Sequence, residues 1–166
     1  MSLNESLLQE LQQEAQSTRK MLERVPDDKF GWKPHEKSMT LGQLAAHIAD
    51  IPNWVPVTVD QDELDFNSKD YVPPKADSSK ELVKMFDEAM AKAVECLKKA
   101  DDKTLMGNWK MRSGDTVYFE MPKLAVLRMF VFSHNSHHRG QLSVYLRIND
   151  VPLPQVYGPT ADEGSM

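Results

Sequence analysis

Apolar residues recur at three- and four-residue steps over four long stretches of the chain, and each stretch predicts a helix. The first runs from Leu3 to Val25 through Leu7, Leu8, Leu11, Ala15, Thr18, Met21 and Leu22, and Pro26-Asp27-Asp28 ends it. The second starts after Ser38 or Thr40, both suitable N-caps, and continues through LGQLAAHIADI until Pro52 and Pro56 end or kink it. The third spans the Asp77/Ser78/Ser79 cap region to about Ala100, striped by Leu82, Met85, Phe86, Ala89, Ala93, Val94 and Leu97. The fourth takes Pro122 into its first turn and reaches about Asn149.

The remaining segments lack that period. Phe30 to His35 is a loop with Trp32 tucked against the bundle. Val57 to Lys75 is an acidic connection ending in Pro73-Pro74, long enough to act as a crossover or as a rim around a site. GNWKMRSGDTVYFEMP sets two runs rich in β-branched and aromatic residues around Ser113-Gly114-Asp115, the pattern of a hairpin, which must lean on the bundle to be stable. VPLPQVYGPTADEGSM is an extended tail that folds back over the domain. The expected fold is therefore all-α: one domain over residues 1–166, a four-helix bundle with a small β-hairpin before the last helix.

At ~100° per residue the fourth helix has two apolar strips. One gathers Leu124, Leu127, Val131, His134, His138, Leu142 and Tyr145; the other, about a quarter turn away, gathers Val126, Phe130, His137, Val144 and Ile148. So wide an arc predicts burial on more than one side, in the bundle centre or at a subunit contact.

Composition narrows the class. The chain is 40% hydrophobic and 27% charged with net charge −5, and no basic block breaks its acidic balance, which argues against a nucleic-acid partner. One cysteine, Cys96, excludes an internal disulfide and fits a reducing compartment. Without a secretory leader or a long apolar run, the expectation is a cytoplasmic protein with no membrane span.

The chemistry concentrates in SHNSHHRGQLSVYLR, Ser133 to Arg147. His134 and His138 are four apart, one turn above the other on one helix face, a spacing that lets two imidazoles grip one metal ion. His47 on the second helix shares a face with Gln43, Leu44, Ile51 and Trp54, and a buried imidazole there needs a hydrogen-bond partner or a metal. It is the candidate third ligand. Three neutral nitrogens leave positions open for water or substrate, the arrangement of a catalytic site, and imidazole suits zinc, nickel, copper and iron alike. Gln141 lies beside the histidine face, where it would orient bound water or substrate or simply cap the bundle mouth. Tyr145 packs in the core or donates to the site; His137 turns away from the pair; Arg139 pairs with an acid across the bundle. His35 is solvated and Cys96 is packed.

SMTLGQLAAHIAD, SHNSHHRGQLSVYLR and PLPQVYGPTADE, in that order and spacing, resemble the DinB-like (damage-inducible) proteins of bacteria. The resemblance implies an up-down-down-up four-helix bundle, often a homodimer. It also implies one divalent metal on three histidines, carried by motif to His47, His134 and His138, with zinc or nickel ahead of iron or manganese. Related bundles include S-transferases that use bacillithiol, mycothiol or glutathione, and a thiol-dependent isomerase of maleylpyruvate. The leading expectation is thus a metal-dependent enzyme that uses a low-molecular-weight thiol as an S-transferase on a small electrophile, in stress or detoxification. The alternatives are a metal-dependent hydrolase, with Asp50, Asp60, Asp62 or Glu63 as base, and a non-enzymatic metal-binding stress protein.

Overall fold

Thr40 starts the helix that carries His47. Its hydroxyl accepts the Gln43 backbone N–H at 3.2 Å while the Gln43 side chain accepts the Thr40 N–H at 2.9 Å, a reciprocal cap. Gly42 fits beneath because a Cβ there would meet the Phe30 ring at 2.6 Å. The computed structural model, which describes residues 2–68 and 72–164, places α1 at Leu3–Glu23, α2 at Leu41–Asp50 and α4 at Ser79–Lys99, the last capped by Ser78. Between α2 and α4, Pro52 sits in a 3₁₀ turn over Ile51–Asn53, after which the chain resumes as a short α3, Trp54–Val59.

The acidic connection thus begins later than its composition suggests, and part of it is ordered into β1, Glu63–Asp65. Residues 69–71 of the connection and 165–166 of the tail lie outside the described residues. β1 runs parallel to β2 (Asn108–Ser113), which pairs antiparallel with β3 (Thr116–Pro122), so the expected hairpin gains a third strand. Gly114 turns the hairpin at φ +56°. A short α5, Asp102–Met106, precedes it. The sheet is held to the bundle by Trp109, fully buried, whose indole N–H donates to the Val57 carbonyl at 3.3 Å. Trp54 and Phe119 stack on either side of Phe130, centroids 5.2 and 5.6 Å away, and continue that contact.

The last helix is not uniform. α6 (Lys123–Leu127) passes into a π-helical turn over Arg128–Ser133 and then into α7 (His134–Ile148). A π turn inserts one residue into the helical repeat, so faces drawn at a constant step shift by one residue beyond it. Leu127 and Val131 therefore continue into Asn135, Arg139, Leu142 and Leu146, all buried, whereas Phe130 continues into the half-buried His134 and His138. The first strip expected from sequence is split in two. Of the second, Val126 is buried but Val144 and Ile148 are 55% and 56% exposed.

α1 packs along α4, and α2 lies against both α4 and α7. Two apolar clusters fill the bundle. One joins Leu7, Leu11, Ile51, Val55, Leu97 and Val131; the other joins Met21, Leu22, Leu44, Ile48, Leu82, Phe86 and Leu142. The tail returns over one end of α1 and α7, with Glu163 paired to Arg24 and Asp162 to Arg147. Among the described residues no helix is long and apolar enough to cross a membrane.

Candidate metal centre

His47 projects from the second turn of α2 and His134 and His138 from the first two turns of α7. One nitrogen from each of the three lies within 4.8 Å of the others, and all three side chains are half-buried. The Nε2 atoms of His47 and His134 are 2.7 Å apart, one ring donating and the other accepting. The His47 ring also meets the His138 ring edge-on at 4.7 Å between centroids.

Burial holds all three imidazoles neutral. It depresses His47, with the neighbouring His138 adding to the effect; it pushes His134 down to about 4, reinforced by His138, His47 and His137; and it lowers His138. Neutral imidazole is the metal-binding form. His138 has a further constraint. Its Nδ1 is 2.7 Å from the Gln141 side-chain oxygen, and because that oxygen only accepts, Nδ1 carries the proton and the Nε2 lone pair is free. This is the arrangement in which a partner on the far nitrogen fixes the tautomer and ring plane of a ligating histidine. Three neutral nitrogen donors, convergent and partly withdrawn from water, fit a divalent transition ion held by His47, His134 and His138.

Gln141, expected to orient bound water or substrate or to cap the bundle mouth, places its side-chain oxygen on His138. His137 is exposed, its ring 4.9 Å from that of His138. The Tyr145 hydroxyl donates to the Met39 carbonyl at 3.4 Å and its ring meets Trp32 edge-on, so it braces the loop before α2. His35 is exposed in its loop and accepts the Lys37 N–H. Cys96 is buried 3.5 Å from the Asp60 carboxylate, and burial followed by that carboxylate pushes its thiol up to about 12. A cavity of about 280 Å³ opens beside His47, lined by Met39, Gln43, Pro73 and Pro74.

Sequence reasoning missed what lies behind α7. Arg139 pairs with Glu14 at 2.6 Å, as an acid across the bundle, but it is 3% exposed and shares Thr18 with the buried Asn135. The signal was an arginine and an asparagine each one residue after a candidate ligand; a constant helical step puts neither in the core.

Comparison with known proteins agrees with this architecture. The uncharacterised protein YrdA of Bacillus subtilis (strain 168) is 26% identical over 151 residues, which covers 90% of this chain and 85% of YrdA. The crystal structure of a DinB-like protein from Bacillus cereus ATCC 10987 superposes with a TM-score of 0.69 at 28% identity, covering 92% of this chain and 97% of that one. A DinB-like protein of Bacillus subtilis, YjoA, shares the fold at a TM-score of 0.71 and 20% identity, over 91% of this chain and 97% of its own. The model of the DinB family matches residues 1–165, and the chain belongs to that family.

Proposed function

We propose that the protein is a metal-dependent S-transferase that joins a low-molecular-weight thiol to a small apolar electrophile. The observation that carries this reading is the convergence of His47, His134 and His138 beside a cavity large enough for a small molecule. A divalent ion held by the three imidazoles, zinc or nickel before iron or manganese, would lower the pKa of a thiol and present it as a nucleophile. His47 brings the site to the edge of the cavity. Among the described residues, Met39, Pro73 and Pro74 give that cavity apolar walls and none that lines it is acidic or basic beyond His47, which favours an uncharged, hydrophobic electrophile. The Gln43 amide oxygen is engaged at the helix cap, leaving its amino group as the polar handle. In the reaction the sulfur–carbon bond forms as the bond to the leaving group breaks, and the thiol proton passes to solvent.

The hydrolytic alternative needs a carboxylate free to act as base, and each candidate is already engaged. Asp50 accepts from Asn53, Asp60 faces Cys96, Asp62 pairs with Lys123 at 3.0 Å, and Glu63 accepts from Arg112 at 3.0 Å. This ranks transfer above hydrolysis.

The test incubates zinc- or nickel-loaded protein with cysteine, glutathione or bacillithiol and a chlorinated nitroaromatic, following release of chloride. The expected result is thiol- and metal-dependent turnover that His47→Ala abolishes. Turnover at background with every thiol refutes the transferase, and metal retained without turnover leaves the binding protein as the better reading.

A further inference from the structure

The face of α7 that meets α1 carries a polar network where a bundle core is usually apolar. Thr18 is completely buried. Its hydroxyl donates to the Glu14 carbonyl at 3.0 Å and accepts from Asn135 Nδ2 at 3.0 Å and Arg139 Nη1 at 3.1 Å. Arg139 also donates to the Glu14 carbonyl at 3.2 Å and to its carboxylate at 2.6 Å. The tail closes the network from outside. The Tyr157 hydroxyl accepts from Arg139, donates to Glu14 at 2.8 Å and lies 3.1 Å from Ser136, while the Arg139 guanidinium sits over the Tyr157 ring at 5.0 Å.

Stability alone is a weak reason for it. A buried ion pair is commonly matched or bettered by apolar residues of similar volume, because desolvating both charges offsets their attraction. What the network supplies is a single orientation. Asn135 and Arg139 each follow a candidate ligand by one residue, about 100° round the helix. One roll of α7 about its axis therefore satisfies two conditions together: both donors on Thr18, and both imidazoles toward His47. With side-chain tips ~5–6 Å from the helix axis, a roll of ~20° displaces an imidazole nitrogen by ~2 Å. Metal–ligand distances tolerate only ~0.2 Å. Apolar packing alone would accept a roll that a metal site would not.

We propose that Thr18, Asn135, Arg139, Glu14 and Tyr157 form a positioning network that fixes the roll of α7, and so presents His134 and His138 to His47. The inference rests on the reading of the three histidines as a metal centre. It also gives the tail residue Tyr157 a task that its distance along the chain from the site conceals.

The experiment uses the full chain, with zinc affinity from competition against a chromophoric chelator and geometry from the visible absorption of the cobalt(II) form. Thr18→Val removes the shared hydroxyl at constant shape, Thr18→Ser restores it, and Tyr157→Phe deletes the surface hydroxyl that bonds Arg139, Glu14 and Ser136. Met111→Ala, a buried residue of the sheet, controls for general loss of stability. The expected result is ~10-fold weaker zinc binding with an altered cobalt spectrum for Thr18→Val. A smaller loss in the same direction is expected for Tyr157→Phe, near wild-type behaviour for Thr18→Ser, and a lowered Tm with unchanged affinity for Met111→Ala. Wild-type affinity and spectrum in folded Thr18→Val overturn the proposal; if that variant does not fold, the same result in Tyr157→Phe overturns it. A wild-type chain that binds none of zinc, nickel and cobalt removes the metal centre and the network's role together, and that outcome is seen before any variant is made.

Discussion

Gln141→Leu isolates a hydrogen bond that orients a candidate ligand from outside the cluster. Gln141 is exposed and touches the site through its oxygen on His138 Nδ1, at 2.7 Å. A neutral hydrogen bond is worth about 0.5–1.5 kcal/mol net, which at ~1.4 kcal/mol per decade is about 2–12-fold in affinity. Partners of metal-bound histidines typically cost 10–100-fold when removed. An exposed partner on a ring that two other imidazoles also constrain belongs where these ranges meet, so zinc affinity should fall about 10-fold. Gln141→Glu keeps the acceptor and adds charge, which roughly doubles the strength of such a bond, so affinity should equal or exceed wild type. Neither change touches the core, and Tm without metal should move by less than the equivalent of ~0.5 kcal/mol. Chelator competition at pH 7.5 measures the affinities and differential scanning fluorimetry the stabilities. Equal affinity in wild type, Gln141→Leu and Gln141→Glu would show that the bond does not set the tautomer.

Three further outcomes follow from the same structure. The histidine cluster titrates below the ~6.5 of free imidazole, His134 down to about 4, so between those values the unfolded chain binds more protons than the folded one. Stability from these groups is present above pH ~6.5 and is lost as pH falls toward 4; Tm without metal should decline over that window, less so in His134→Asn, and an identical decline in both rejects the assignment. Cys96, with its thiol pushed up to about 12, should resist iodoacetamide at pH 8 until the chain is unfolded, and mass spectrometry showing prompt native alkylation would contradict its burial. The exposed strip Met129, Val144 and Ile148 is the face a homodimer would cover; Val144→Glu with Ile148→Glu should then yield monomers by light scattering, and a wild-type monomer at 100 μM would rule the contact out.

Much of the bundle was legible because each of its four long helical stretches announces itself twice, by its apolar period and by its end signals. Thr40 with Gln43 and Ser78 with Glu81 set two N-termini as their side chains suggest. His47 was legible for the opposite reason: a polar side chain on an otherwise apolar face needs a partner. β1 was not. It is three residues long and two of them, Glu63 and Asp65, are acidic; it exists because β2 offers an edge and Arg112 pairs with both acids, an interaction nearly fifty residues distant. The tail's bonds to Arg24 and Glu14 span well over a hundred residues and leave no local trace.

The π turn explains why one helix was read correctly residue by residue and wrongly as a surface. Its marker is an i→i+5 bond, which no composition or period announces, and constant rotation through Arg128–Ser133 merges two faces that the fold keeps apart. Separated, they divide the work of the last helix. Val126, Phe130, His134 and His138 look toward α2 and the aromatic stack, while Leu127, Val131, Asn135, Arg139, Leu142 and Leu146 are buried in the bundle. Were the same residues wound as regular α-helix through Arg128–Ser133, the buried face of α6 would run on into His134 and His138, and the imidazoles would enter the core in place of Asn135 and Arg139. Deleting one residue from Arg128–Ser133 removes the insertion, so the turn closes as regular α-helix with both faces kept, and zinc binding and helical content by circular dichroism should both stay close to wild type. A folded deletion variant that loses zinc affinity would show that the turn does more than absorb one extra residue.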